Sequence, residues 1–257
     1  MPVLIGTSGW VYNDWGDRFY HGVPKKYWFE HAMTYFQTTE LNVSFYRLPL
    51  LKTFEGWNRR SPDDAVITVK ASRYLTHIKK LQDPEEPVQR LMSRATGLGS
   101  KLGPILVQLP PSLGCDVGAL ARTLDAFPGG TRIAVEVRND SWWNDDVRRL
   151  LEHRRAAWVW VDRGGQPWGP LWRTCDWGYL RFHWGDAEPS PNYHRHTLAG
   201  WARRIADNSG DWEDFFVYFN NDGRCAAVDN AITFGEEVRW IGRTASRTPG
   251  IRPHSWW

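Results

Sequence analysis

The amino-acid sequence predicts an α/β protein folded as a single (β/α)8 TIM-like barrel, a parallel eight-stranded sheet with outer helices. Three observations lead there. Eight short apolar runs recur along the chain, each separated from the next by a stretch long enough for a helix. Most of these runs end in a charged or amide side chain, as expected where strand ends surround a common mouth. The length, 257 residues, suits one such barrel and one core.

The strands are read in order as Val3-Leu-Ile-Gly6, Phe36 to Leu41, Val66 to Lys70, Ile105 to Leu109, Ile133 to Val137, Ala157 to Val161, Gly178 to His183 and Phe215 to Phe219. Between them, Pro24 opens a helical segment to about Tyr35, since proline is tolerated in a first turn. Phe54–Arg60 follows and stops before Pro62. Asp83-Pro84-Glu85-Glu86 starts the next helix with acids in its first turn, where they complement the helix dipole. Asp116 opens a helix through Leu124 and Phe127 that Pro128-Gly129-Gly130 closes, and Ser141 or Asn144 caps the one carrying Val147, Leu150 and Leu151. The connection from Gly164 to Trp177 is rich in Gly, Pro and Trp and reads mostly as loop. Leu198–Asn208 and Ala226–Ile241 complete the set.

Residues 1–241 form the barrel domain, and residues 242–257 form a basic tail containing Pro and Trp that reads as irregular. The net charge of +3 is uneven: Arg239, Arg243, Arg247 and Arg252 lie in a final stretch without an acid, leaving the body close to neutral. A near-neutral body gives no general reason to expect nucleic acid or an anionic membrane as partner. No apolar run is long enough for a membrane span, and the chain starts at once on a strand rather than on a secretory signal. Cys115, Cys175 and Cys225 lie far apart, without metal-ligand spacing, and read as reduced cytoplasmic thiols.

Polar residues inside a buried parallel strand are costly unless paired or used. Here they recur with period two, which places each set on one face. Glu40 shares a face with Asn42, Thr68 with Lys70, Glu136 with Arg138 and Arg181 with His183; Gln108 stands between Val107 and Leu109. Asp162 ends the sixth strand, and Asn220-Asn221-Asp222 ends the eighth. An internal lattice pairing Glu136 with Arg181 and Glu40 with Lys70 accounts for any one pair as well as a site does. For the whole ring, charges gathered at C-terminal strand ends favour a site.

Several stretches together resemble the DUF72 (YecE-like) family, a TIM-barrel family without an established biochemical role. They are Gly6-Thr-Ser-Gly-Trp10, Glu40-Leu-Asn42, Phe45-Tyr46-Arg47-Leu-Pro49, Lys70-Ala-Ser-Arg73 with Thr76-His77, Gln108-Leu-Pro-Pro111, Glu136-Val-Arg138 with Ser141-Trp142, Arg181-Phe-His183 and Tyr218-Phe-Asn-Asn-Asp222. The resemblance covers nearly the whole chain and implies the barrel, but no substrate. Where that family often reads His-Gly after the seventh strand, this chain reads His183-Trp184-Gly185.

The residues point to a hydrolase, lyase or isomerase acting on a small polar or anionic metabolite by acid–base chemistry. Glu40, Lys70, Glu136 and His183 are the candidate catalytic groups, with Glu136 and His183 moving protons. Lys70 at a buried strand end could be a base or a Schiff-base amine; neutralisation by Glu40 or a bound anion is the favoured account. Trp10, Asn42, Tyr46, Arg73, His77, Gln108, Arg138, Trp142, Asp162, Arg181, Asn220 and Asp222 are the candidate substrate contacts. Trp10, Trp15, Trp142, Trp143 and Trp184, among 17 tryptophans, are expected to rim the mouth. No cofactor is predicted. A divalent metal on Glu40, Glu136, Asp162 and His183 is the alternative, which would make a phosphodiesterase or nuclease-like hydrolase, although Lys70, Arg138 and Arg181 would repel it. A non-catalytic ligand-binding protein is the other alternative.

Overall fold

The computed structural model describes residues 2–208, 210 and 212–248. Its eight barrel strands are β1 (Pro2–Thr7), β2 (Thr38–Leu41), β3 (Val66–Lys70), β4 (Leu102–Gln108), β5 (Ile133–Glu136), β6 (Ala157–Arg163), β7 (Gly178–Phe182) and β8 (Phe215–Phe219). Each is parallel to the next, and β8 returns to β1 with Val3 opposite Phe215 and Thr7 opposite Phe219, closing the barrel. The apolar runs thus form the strands the sequence predicts.

The outer layer consists of α1 (Trp28–Tyr35), α2 (Leu51–Arg60), α3 (Glu85–Ala95), α4 (Val117–Asp125), α5 (Asp145–Arg154), α6 (Arg195–Asn208) and α7 (Ala226–Trp240). Their ends follow from local chemistry. The Asp116 carboxylate accepts the Ala119 N–H at 2.8 Å and the Asn144 amide oxygen accepts that of Val147 at 3.1 Å, satisfying donors that a first turn leaves free. No helix faces the outer side of β6 in its own βα unit. Gln166–Pro167 turns back as a two-residue antiparallel strand on β6, and the irregular chain beyond it covers the strand with Trp168 and Trp172.

Two sets of side chains alternate along every strand. Val3, Ile5, Ile67, Val69, Ile105, Val107, Val135, Leu180, Phe182, Val217 and Phe219 face the helices in the main core. Leu4, Leu106, Ala134, Ala157, Val159, Val161, Tyr179, Phe216 and Tyr218 fill the barrel interior. Above the Phe216 level, the Tyr218 hydroxyl bonds Thr38 at 2.6 Å and Thr68 at 2.8 Å, so a polar but satisfied layer carries the mouth above it. Gly6 is required where β1 meets β2: a Cβ there would stand 2.1 Å from the Thr38 carbonyl oxygen.

The described part of the tail is not wholly irregular. Thr244–Ala245 pairs in parallel with β1, Ser246 Oγ accepts the Ile5 N–H at 2.9 Å, and Arg247 grips Asp64 through two bonds of 2.8 and 3.1 Å. Pro249, Gly250, Arg252, Pro253, Trp256 and Trp257 lie outside the described residues. Among the described residues, no helix is long and apolar enough to cross a membrane.

Candidate functional site

The C-terminal ends of the strands converge on a buried ionic ladder. Arg181, from β7, is fully buried at the barrel axis. Its Nη1 donates to Glu136 Oε2 at 2.6 Å and its Nη2 to Glu40 Oε1 at 2.7 Å, so one guanidinium bridges β5 and β2 across the mouth. The second oxygens are also occupied: Tyr179 OH donates to Glu40 Oε2 at 2.6 Å, and Arg138 Nε to Glu136 Oε1 at 3.0 Å. Burial alone would raise the Glu136 carboxyl, but the Arg181 charge foremost, with the Arg138 charge and the adjoining His183 ring, outweighs it and holds the group well below its ordinary range. Arg181 is correspondingly raised, burial being overcome by its two carboxylates. The pairing therefore differs from the sequence expectation in one respect: Glu136 does meet Arg181, but Glu40 pairs with Arg181 and not with Lys70.

His183 and the β8 loop fix one another. Asn220 Oδ1 accepts from Arg181 Nη2 at 3.3 Å and from Asn42 Nδ2 at 3.5 Å. Arginine is only a donor, so the Asn220 NH2 faces His183 Nδ1, 3.3 Å away, and donates to it. That assigns the ring proton to Nε2, which stands 3.3 Å from Glu136 Oε1 but is out of line for a hydrogen bond. Burial lowers the His183 pKa against the opposing pull of Glu136. The imidazole is thus a neutral donor at neutral pH.

Lys70 ends differently from its neighbours. Ser44 Oγ donates to its backbone carbonyl at 2.7 Å, tying β3 to the turn Val43–Tyr46. Its Nζ lies 4.4 Å from the centroid of the Phe45 ring and, among the described residues, makes no hydrogen bond or ion pair. Burial first, then Arg181 and Arg138, push its pKa down to about 8 against Glu40 and Glu136. Gln108 is buried beside this lysine's strand, and no described residue bonds its side-chain amide. His77 packs edge-on against Phe45 at 4.9 Å, and burial, Lys70, Arg73 and Arg138 lower its pKa.

Other candidates are placed elsewhere. Asp162 lies on the outer face of β6, opposite Phe182, where Trp201 Nε1 of α6 donates to it at 2.6 Å and the Gly165 N–H at 3.2 Å. Burial raises its carboxyl to about 6. Arg163 is the residue of β6 on the mouth side; its guanidinium stacks 4.3 Å from the Trp168 ring centroid and feels the Arg138 and Glu136 charges. Sequence reasoning missed it. Trp10 packs against Phe29 and Trp57, and the Trp142 indole donates to the Leu113 carbonyl at 2.9 Å, so both belong to the core. Trp15 does likewise through the Asp222 carbonyl, while Trp143 and Trp184 remain exposed. The Asp222 carboxyl is buried beside Tyr12 and raised to about 7 by that burial. Tyr46 and Arg73 line an open groove outside the mouth, with a cavity of about 900 Å³ that Phe45 shares.

The residues do not fit the divalent-metal alternative. Asp162 faces away, every oxygen of Glu40 and Glu136 already accepts from a cationic or phenolic donor, and His183 directs Nδ1 to Asn220. Among the described residues, no cluster of three His, Cys, Asp or Glu side chains could hold a metal ion.

The family described as "Protein of unknown function DUF72" matches residues 4–253. The chain belongs to the DUF72 family. It is 24% identical over 265 residues to the UPF0759 protein YunF of Bacillus subtilis, covering 89% of this chain and 92% of that one. The UPF0759 protein YecE of Escherichia coli K12 is 25% identical over 142 residues, 55% of this chain and 50% of YecE. A crystal structure of the DUF72 family protein TM1631 from Thermotoga maritima superposes with a TM-score of 0.81 at 26% identity, over 93% of this chain and all (100%) of that one. The DUF72 family protein EF0366 from Enterococcus faecalis shares the fold, with a TM-score of 0.79 at 18% identity over 98% of this chain and 100% of that one. None of these names carries an activity.

Proposed function

We propose that this DUF72 protein is an enzyme that binds a small anionic metabolite at the C-terminal mouth of the barrel and moves protons there. The observation that carries the reading is the contrast between the ladder and what stands over it. Glu40 and Glu136 are balanced by Arg181 and Arg138 together, and Arg138 uses only its Nε to do so; among the described residues Lys70 has no anionic partner, and Arg163, stacked on Trp168, meets no carboxylate. The cations left over make a positive, partly desolvated cup, which suits a carboxylate or phosphate gripped by guanidinium forks.

Within that cup the division of labour follows from protonation. His183 is neutral, with its proton on Nε2, and is suited to polarise an oxygen or supply a proton rather than to accept one. Lys70, lowered to about 8, is the group able to change charge near neutrality while touching a ligand. Glu136 and Glu40, locked by Arg181, set the field and hold the rings in place.

The test begins with a thermal-shift screen of phosphate, sugar phosphates, nucleotides and carboxylates. An anion of one class should raise the melting temperature saturably, and Arg138→Gln with Arg163→Gln should abolish that rise. With the ligand in hand, His183→Asn should lower turnover by about 10²–10⁴, and Glu136→Gln should lower it through the field it sets. Turnover unchanged in both variants, or no anion that binds at the mouth, ends this reading.

A further inference from the structure

We propose that Lys70 is an imine-forming amine, whose Nζ adds to the carbonyl carbon of a small oxo compound that also carries a carboxylate or phosphate. This rests on the anion-binding reading above and adds the reaction class. Three features of the geometry support it. First, among the described residues the amine has no anionic partner, for a structural reason: Glu40 and Glu136, the carboxylates whose charge it feels, are both spent on Arg181, with Tyr179 and Arg138 taking the remaining oxygens. Second, it is held in place. The Ser44 bond fixes the Lys70 backbone, and the Phe45 ring lies 4.4 Å from its Nζ. Third, its surroundings favour the uncharged form. Arg181 from β7 and Arg138 beyond β5 oppose its charge, Glu40 from β2 and Glu136 from β5 support it, and His77 stands on the same side. Burial and the guanidinium charges win, so the amine titrates near 8. At pH 7 about a tenth of the molecules then carry a nucleophilic lone pair, against less than about a thousandth for a free lysine.

The step balances without an oxidant or a reductant. The Nζ lone pair forms the N–C bond as the carbonyl π pair moves to oxygen, and one Nζ proton passes to that oxygen, giving a carbinolamine. The second Nζ proton leaves with the hydroxyl as water, and the C=N bond remains. The anionic group of the ligand is held by Arg138 and Arg163, on the side of the mouth across from Phe45.

The inference can be tested without knowing the natural ligand. Acetylacetone, a 1,3-diketone, forms a stable ultraviolet-absorbing enaminone with an uncharged amine. Treated with it at pH 8, the protein should carry the adduct at Lys70 at least about tenfold faster than at exposed Lys52 or Lys80, read by peptide mass spectrometry, with a rate that rises through a pKa near 8. Lys70→Arg and Lys70→Gln should lose the absorbing species. Site assignment in the wild-type chain needs neither variant to fold. Labelling spread evenly over the lysines, or sparing Lys70, overturns the proposal. The ligand class is tested by trapping with cyanoborohydride: pyruvate should modify Lys70 at least about tenfold faster than acetone, and equal rates overturn the anionic part. A reactive Lys70 with no anion-induced thermal shift would defeat the anion-binding reading and leave the amine standing. An anion-induced shift with an unreactive Lys70 would do the reverse.

Discussion

Arg181 Nη1 and Glu136 Oε2 meet at 2.6 Å with both side chains sealed from solvent, and the same guanidinium holds Glu40 at 2.7 Å. The cost of burying these charges is offset only while all three are present. Arg181→Met leaves two carboxylates facing each other in a dry interior. Loss of one partner of a buried pair costs about 3–5 kcal/mol, so the urea midpoint should fall accordingly. A variant as stable as wild type would show that the ladder contributes nothing to the fold.

Asp222 should make stability depend on pH with a definite sign. Burial raises its carboxyl from 3.8 to about 7 in the folded chain. The folded state therefore holds this proton more tightly than the unfolded chain. Its contribution is present below about 4 and is lost as pH rises from there through 7. Asp222→Asn removes the ionisation and keeps the shape. It should be more stable than wild type at pH 8 by a few kcal/mol, on the order of 4 at 1.36 per pH unit, and this advantage should vanish near pH 4. Melting curves of the two proteins across that range read the difference directly, so other groups titrating in both proteins cancel.

Trp201 and Asp162 should matter for the fold and not for the site. The indole N–H bond to Asp162 lies on the helix side of β6. Trp201→Phe keeps most of the ring and leaves the acceptor short of one buried donor, a loss of about 1–3 kcal/mol. The melting temperature should drop, while the rise produced by a bound anion should be unaltered. Loss of the anion response would place Asp162 in the mouth after all.

Gly6→Ala tests the seam between β1 and β2. The added Cβ would meet the Thr38 carbonyl oxygen at 2.1 Å, and neither backbone can yield without opening the ladder that joins them. A loss of at least about 3 kcal/mol is expected, at the upper end of overpacking costs. Denaturant unfolding checks it.

The sequence disclosed those site residues whose strand carries two chemically distinct faces. Glu136 lies between Val135 and Val137, and Arg181 between Leu180 and Phe182, so alternation alone assigned them inward. Alternation was silent in Ala157-Trp-Val-Trp-Val161, where both faces are apolar. Only the register, with Val161 opposite Arg181, turns Asp162 outward and Arg163 inward. The tryptophans misled for a related reason. An indole needs one acceptor, and loop carbonyls of Leu113 and Asp222 supply it inside the core, so position in a loop did not imply a place on the rim. The pairing of Lys70 was likewise beyond reach, because which carboxylate a cation meets depends on three strands at once.

The rings of Tyr179 and Tyr218, each stacked on Phe216, lie beneath the ladder and fill the lower barrel. Whatever enters from above finds a dead end, so arrival and departure share a single doorway. A small molecule held over Arg181 therefore comes and goes past Lys70, Arg138 and Arg163.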